Sequence, residues 1–330
     1  MATYYVQNPG GNDGNPGSMA QPWLTMQKAF DTATAVAPDT VYLLGGETLA
    51  ATIDVDINTG SAGKYINFIG VGPGWVDDGT RYVIDGNGAV ANAIAVSAAM
   101  NYIRLKNIEV FNTTSDGIDT GGVTTSNFWI FEQCYVHTCG GAGIYTSSSG
   151  WVYIRCSLRN NTGAGVNATS YTLFLFCDFI GNGNDGITTF KNGSIIGCII
   201  HANTASGVES NASKTTSCLF LHNVIDGNDS YGIYDINGDL YPVFLYYNRI
   251  TNHNDIGDIS VYYRDTDNPL FGDFNFYLNN DTNKSIAGID YEGANSLVAG
   301  VEGYANRAGD EFDLTDLATL RRTAIQVGCA

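Results

Sequence analysis

One short phrase, a glycine followed by Ile or Val, returns six times through the middle of this chain. It reads Asp116-Gly-Ile-Asp119, Ala142-Gly-Ile-Tyr145, Ala164-Gly-Val-Asn167, Asp185-Gly-Ile-Thr188, Ser206-Gly-Val-Glu209 and Tyr231-Gly-Ile-Tyr234. The glycines Gly117, Gly143, Gly165, Gly186, Gly207 and Gly232 are separated by steps of 26, 22, 21, 21 and 25 residues. A period near 22 with one such phrase per repeat is the mark of a solenoid, in which no repeat buries its apolar face alone and each stacks on the next.

Other columns share the period. Nine residues before Gly143, Gly165, Gly186, Gly207 and Gly232 stand Cys134, Cys156, Cys177, Cys198 and Asn223, and five residues after these come Cys139, Asn161, Asn182, Asn203 and Asn228. Between them apolar residues alternate with period two and proline is scarce, so each repeat reads as short strands joined by Asn/Gly turns, not as helices. If coils superimpose, equivalent residues lie about 4.8 Å apart. Asn161, Asn182, Asn203 and Asn228 then form a hydrogen-bonded ladder, and the cysteines form a buried column of free thiols, too far apart for an unstrained disulfide.

At this point the chain resembles the right-handed parallel β-helices of the pectate-lyase-like superfamily. Its opening adds to the likeness: Tyr5-Val-Gln-Asn-Pro-Gly-Gly-Asn-Asp-Gly-Asn-Pro-Gly-Ser18, then Gln21-Pro-Trp-Leu-Thr-Met-Gln-Lys-Ala-Phe30, with Thr25 as N-cap of a short helix. The resemblance implies an all-β, single-stranded right-handed parallel β-helix of about 22-residue coils whose N-terminal helix caps one end. The expected organisation is an N-terminal segment over 1–38, the β-helix over 39–265, and a tail over 266–330 that packs back on it, since the repeat is lost after Asn268-Pro-Leu-Phe271.

Fifteen Lys and Arg stand against 33 Asp and Glu in 330 residues, a net charge of −18, which argues against a nucleic-acid partner because phosphate binding needs a basic surface. No apolar stretch is long enough to predict a membrane helix. The first residues, Met-Ala-Thr-Tyr-Tyr, carry neither a basic nor an apolar leader region, and the column cysteines read as reduced. Folding in a cytoplasm is expected, with a virion component released later, a cytoplasmic protein and a trimmed secreted enzyme all consistent.

Strand alternation turns Ile118, Ile144, Val166, Ile187, Val208 and Ile233 inward, and Asp119, Tyr145, Asn167, Thr188, Glu209 and Tyr234 outward. The resemblance implies that this outward row is a saccharide groove, and two tyrosines with two carboxylates suit a sugar's apolar face and hydroxyls. The substrate-binding set is therefore Asp119, Tyr145, Asn167, Thr188 and Tyr234. Asp185 and Glu209, on neighbouring coils, are the candidate catalytic carboxyls, expected near the separation of an inverting glycosidase, about 6.5–9.5 Å; Asp185 and Asp116 also read as turn residues. Lys191 is the candidate lyase base. Ser115-Asp-Gly-Ile-Asp119 resembles the calcium-binding run of one pectate lyase family, which implies Ca²⁺ held by Asp116 and Asp119; Ser115 stands where that family has a carboxylate, and no lysine occupies its base position. A second acidic cluster, Asp226, Asp229, Asp235 and Asp239, has hard-cation chemistry but matches no known spacing.

One further strand row is apolar at every position. Counting by twos places Ile130, Val152, Leu173, Leu219, Ile154, Leu175, Ile196 and Leu221 inside, and Phe131, Tyr153, Phe174, Ile195, Phe220 and Leu245 outside, with Trp129 and Trp151 extending the outer stripe. Such a stripe is expected to be covered by the tail or by another copy of the chain, as a monomer or homotrimer. The functional expectation is a polysaccharide-degrading lyase or glycoside hydrolase. The alternative is a non-catalytic glycan-binding adhesin or virion module on the same fold.

Overall fold

In the computed structural model the described residues are 2–34, 39–56, 59–121, 123–210, 218–235, 243–251, 259–263, 270–273, 275–278, 282–286, 290–292 and 297–299. They form a parallel β-solenoid with three strands per coil and almost no helix. One coil shows the plan. Ile130–Glu132 lies in a first sheet, Tyr135–His137 in a second and Ile144–Tyr145 in a third, and the next coil repeats them as Val152–Ile154, Ser157–Arg159 and Val166–Asn167. Every pairing between coils is parallel and in register, for instance Ile130↔Val152, Val136↔Leu158 and Ile144↔Val166.

The N-terminal segment behaves as expected. Thr3–Asn8 pairs with Thr40–Thr48 as the first rung of the first sheet. The helix Met26–Thr32 starts at Thr25, whose hydroxyl accepts the Lys28 amide at 3.2 Å. Asp13 sets that turn by accepting from the Leu24 amide at 2.8 Å and the Thr25 hydroxyl at 2.9 Å. Met26, Ala29 and Phe30 point into the end of the solenoid, where Phe30 packs on Phe68 with ring centroids 4.2 Å apart.

At the other end, the β-helix does not stop at residue 265. Leu270–Asp273, Phe276–Leu278, Thr282–Ile286, Asp290–Glu292 and Leu297–Ala299 add further rungs to the three sheets. The sequence repeat fades there because spacing and turn residues change while strand pairing continues. The stretch from residue 300 on, expected to pack as a tail, lies outside the described residues.

Two asparagine ladders tie the coils. Asn161 Nδ2 donates to Asn182 Oδ1 at 3.0 Å, Asn182 Nδ2 to Asn203 Oδ1 at 2.9 Å, and Asn203 Nδ2 to Asn228 Oδ1 at 2.8 Å. Each also donates to a strand carbonyl of the preceding coil, Asn182 to Leu158 O at 3.1 Å. The cysteine column runs into the second ladder. Cys134 and Cys156 thiols donate to Leu105 O and Phe131 O at 3.4 and 3.3 Å, and further along Asn223 Nδ2 makes the equivalent bond to Ile195 O at 2.8 Å. Cys134, Cys139, Cys156, Cys177, Cys198 and Cys218 are buried and unbridged. Burial pushes the Cys134 and Cys177 thiols up, which keeps them protonated and unreactive.

The first sheet inverts one expectation. Phe131, Tyr153, Phe174, Ile195, Phe220 and Leu245 point into the core, and Trp129 and Trp151 with them; all are essentially inaccessible. Ile130, Val152, Leu173, Leu219, Ile154, Leu175, Ile196 and Leu221 lie on the outer face, half-buried. The reason is the corner between the first two sheets. Gln133, Arg155 and Phe176 have φ of 54°, 52° and 56°, and this left-handed residue puts two consecutive side chains outside. Counting back by twos from Cys134 therefore lands on the wrong face. Inside, the rings stack along the axis: Trp129 on Trp151 at 5.5 Å, Phe131 on Tyr153 at 5.0 Å and Tyr153 on Phe174 at 4.7 Å.

The Asn182→Ala substitution would strand the buried Asn161 amides and Leu158 O together. It should cost about 3 kcal/mol, since each buried unpaired polar group costs roughly 1–3 kcal/mol. The shift in urea midpoint at constant m-value measures this, and a loss below about 1 kcal/mol would show that the ladder contributes little.

Candidate functional site

The third sheet carries the expected outward row. Asp119, Tyr145 and Asn167 are paired in register, Asn167 with Thr188, and Glu209 with Tyr234, with Ile187 opposite Val208 closing the series. Each has an inward aliphatic neighbour on one side, so strand pleating alone delivers the six side chains to one solvent face. All are partly or fully exposed; Tyr145 keeps 36% of its surface open. Its ring lies over Gly121, where a Cβ would come within 2.1 Å of Cε1, so that glycine is the seat of the ring. Tyr234 stacks on Tyr231, centroids 4.4 Å apart.

Asp116 and Asp185 occupy equivalent places just before the repeat glycine, and both do turn work. Asp116 Oδ1 accepts the Ala142 amide of the next coil at 2.6 Å, and Asp185 Oδ1 accepts the Ser206 amide at 2.7 Å. What differs is the row residue on the following coil. Beyond Asp116 it is Tyr145; beyond Asp185 it is Glu209. The Asp185 carboxyl, 1% exposed, is hydrogen-bonded to that of Glu209, and burial, followed by the Glu209 charge, raises its pKa to about 7. The two carboxyls are close enough for the charge of Glu209 to act on Asp185. A second negative charge beside Glu209 is disfavoured, so the buried Asp185 holds its proton to higher pH. Thr188 adds a hydroxyl to Glu209 Oε1 at 3.4 Å.

Lys191 does not join them. The strand ends at Thr188, Thr189 turns left-handed with φ 55°, Phe190 dives into the core, and Lys191 bridges to Ser170 beyond that corner.

The Asp116 and Asp119 carboxylates are largely engaged by protein donors. Asp119 Oδ1 accepts the Gly121 amide at 2.6 Å and Oδ2 the Asn92 side-chain amide at 3.1 Å, while Asn92 Oδ1 accepts the Asp116 amide at 3.1 Å. Burial raises Asp116. Asn92, unnoticed in the sequence, is the bridge here. Calcium wants six to eight oxygens, and this donor set, with an amide NH₂ aimed into it, does not fit that ion. No group of three His, Cys, Asp or Glu among the described residues is placed to hold a metal. Of the second acidic cluster, Asp226 pairs with His201 at 3.4 Å on the second sheet, and Asp239 lies outside the described residues.

Comparison with known proteins agrees with the solenoid. The model of the right handed beta helix region matches residues 92–243. No curated protein matches the chain in sequence. Among solved structures, the pectate lyase Pel9A superimposes with a TM-score of 0.70 at 18% identity, covering 97% of this chain and 85% of its own. A rhamnogalacturonan lyase gives 0.64 at 17% identity over 91% and 87%, and a glycoside hydrolase 0.61 at 10% over 90% and 96%. No helix among the described residues is long and apolar enough to cross a membrane.

The raised Asp185 has a consequence for stability. The folded chain holds a proton that the unfolded chain releases near pH 4, so stability falls as pH rises from about 4 to about 7. Asp185→Asn keeps an oxygen for the Ser206 amide and removes the titration. Between pH 5 and pH 8 the native melting temperature should drop relative to that of the variant; parallel curves would show that the pair does not titrate there.

Proposed function

We propose that this chain, a right-handed parallel β-helix of pectate-lyase-like fold, cleaves a polysaccharide along the outward row of its third sheet, as a glycoside hydrolase. The observation that carries the reading is the pairing of a buried Asp185, its carboxyl raised to about 7 by burial and by the Glu209 charge, with Glu209 half-exposed on the outward row of the next coil. Glu209 is the group that meets substrate, and Asp185 positions and charges it.

Hydrolysis needs a proton delivered to the glycosidic oxygen as the anomeric C–O bond breaks. The pair supplies it through Glu209, and the departing sugar leaves as an alcohol. The pair, now fully ionised, stabilises the positive charge on the anomeric centre. Water then adds to that carbon and its surplus proton returns to the carboxylates, restoring the starting state. Tyr145 and Tyr234 offer rings to sugar faces, while Asn167, Thr188 and Asp119 offer hydrogen bonds to hydroxyls.

Elimination from a uronate is less well served. It needs a base for the proton α to the carboxylate and a cation for that carboxylate, whereas Arg104, Lys106 and Arg159 are engaged in ion pairs on the other two sheets. A net charge of −18 also disfavours a polyanionic chain.

Glu209→Gln should lower turnover by about 100-fold or more while melting temperature and glycan retention persist. The wild type should generate reducing ends without the ultraviolet absorbance of an unsaturated uronate. Absorbing products would assign a lyase, and undiminished turnover in Glu209→Gln would remove that residue from the mechanism.

A further inference from the structure

A column of aromatic residues runs up a different edge of the solenoid, at the corner where each coil enters the first sheet. The register Asn67↔Arg104↔Ile130↔Val152↔Leu173↔Ser194 fixes it. Two residues before each of these come Tyr65, Tyr102, Phe128, Gly150, Tyr171 and Asn192.

The backbone at this corner is left-handed: φ is 57° at Tyr102, 63° at Phe128, 75° at Gly150, 60° at Tyr171 and 53° at Asn192. Glycine and asparagine are the residues that suit this conformation, and the column uses both. Bulky side chains are sterically disfavoured there, yet Tyr102, Phe128 and Tyr171 adopt it. Nor does burial explain Phe128 and Tyr171, which are 44% and 63% exposed.

The start of the column is held by ring contacts. Tyr102 stacks on Phe128 with centroids 4.9 Å apart and planes 12° from parallel, and Tyr65 meets Tyr102 edge-on at 5.6 Å. Just before the rings, the side-chain oxygens of Asn101 and Asn127 accept the Asn127 and Ser149 amides of the following coils, at 2.9 Å each. Phe128 leans over Gly150, where a Cβ would lie 2.9 Å from its ring. The most exposed rings, Phe128 and Tyr171, therefore flank a position without a side chain. They are two coil rises apart, roughly 10 Å, on the order of the two-sugar repeat of an extended β-1,4-linked glycan, whose alternate residues present the same face.

We propose that Phe128 and Tyr171, with Tyr102 behind them, form a second carbohydrate-binding surface that holds an extended, neutral β-1,4-linked polysaccharide outside the groove. Exposed rings stack on sugar faces, Phe128 with little entropy loss because Tyr102 already stacks on it, and the acidic chain disfavours a polyuronate. The inference rests on the saccharide reading of the fold and not on the chemistry of Asp185 and Glu209.

Affinity electrophoresis of the full chain tests it, with glucomannan and polygalacturonate as probes and Glu209→Gln as the host so that the probe stays intact. The host should be retarded by glucomannan and not by polygalacturonate. Adding Phe128→Asn and Tyr171→Asn should weaken retardation by about tenfold with melting unchanged, because asparagine suits the left-handed corner. Tyr171→Asn alone, at the most exposed ring, should weaken it partway and cannot act through the core. Equal retardation with and without these changes, absence of retardation by glucomannan, or preference for polygalacturonate would each overturn the proposal. Turnover by the chain carrying only Phe128→Asn and Tyr171→Asn, on short soluble oligosaccharides, should match the wild type, so failure of the groove reading would be seen separately.

Discussion

Each coil is held to its neighbours by side chains that hydrogen-bond both to the coil behind and to the coil ahead. Asn182 is typical: its amide donates to Leu158 O of the coil behind and to Asn203 Oδ1 ahead, while its own oxygen takes the Asn161 side-chain amide. Such a residue works only if every coil presents the same residue at the same height. The ladder therefore enforces register, and register places everything else. The handover from thiols to asparagines shows that the requirement is chemical and not a matter of residue identity. Cys198 passes its amide to Asn223 Oδ1 at 2.9 Å, and the column continues.

Register is also what brings together residues that are far apart in sequence. The third sheet delivers one outward side chain per coil at strand spacing, so its row is a linear array of exposed side chains by construction. The carboxyl pair arises because a turn aspartate and a row glutamate fall on successive coils. The same aspartate over a tyrosine, at Asp116 and Tyr145, gives only a turn bond. The corners add a second linear surface, since a left-handed residue between sheets throws its side chain outward on every coil. There the chain sometimes places glycine or asparagine, which favour the backbone, and sometimes rings, which do not.

Period, strand content, ladders, buried thiols and capping helix were all legible in the residues, because they depend on identities that recur at a fixed spacing and on local turn and capping chemistry. The outward row of the third sheet was legible too, since the glycine beside it sets the pleat phase. Tertiary structure alone decided the rest. A single left-handed residue at Gln133, Arg155 or Phe176 reverses the face of an entire strand row that is apolar at every position, and strand alternation carries no signal of it. The end of the solenoid was misplaced because pairing outlasts the repeat. A left-handed turn at Thr189 separates Lys191 from the strand of Thr188, and how Asp185 and Glu209 face each other depended on side-chain directions across a turn, which spacing bounds only to several ångströms. Sequence could determine which residues share a column; only the folded backbone could decide where each column points.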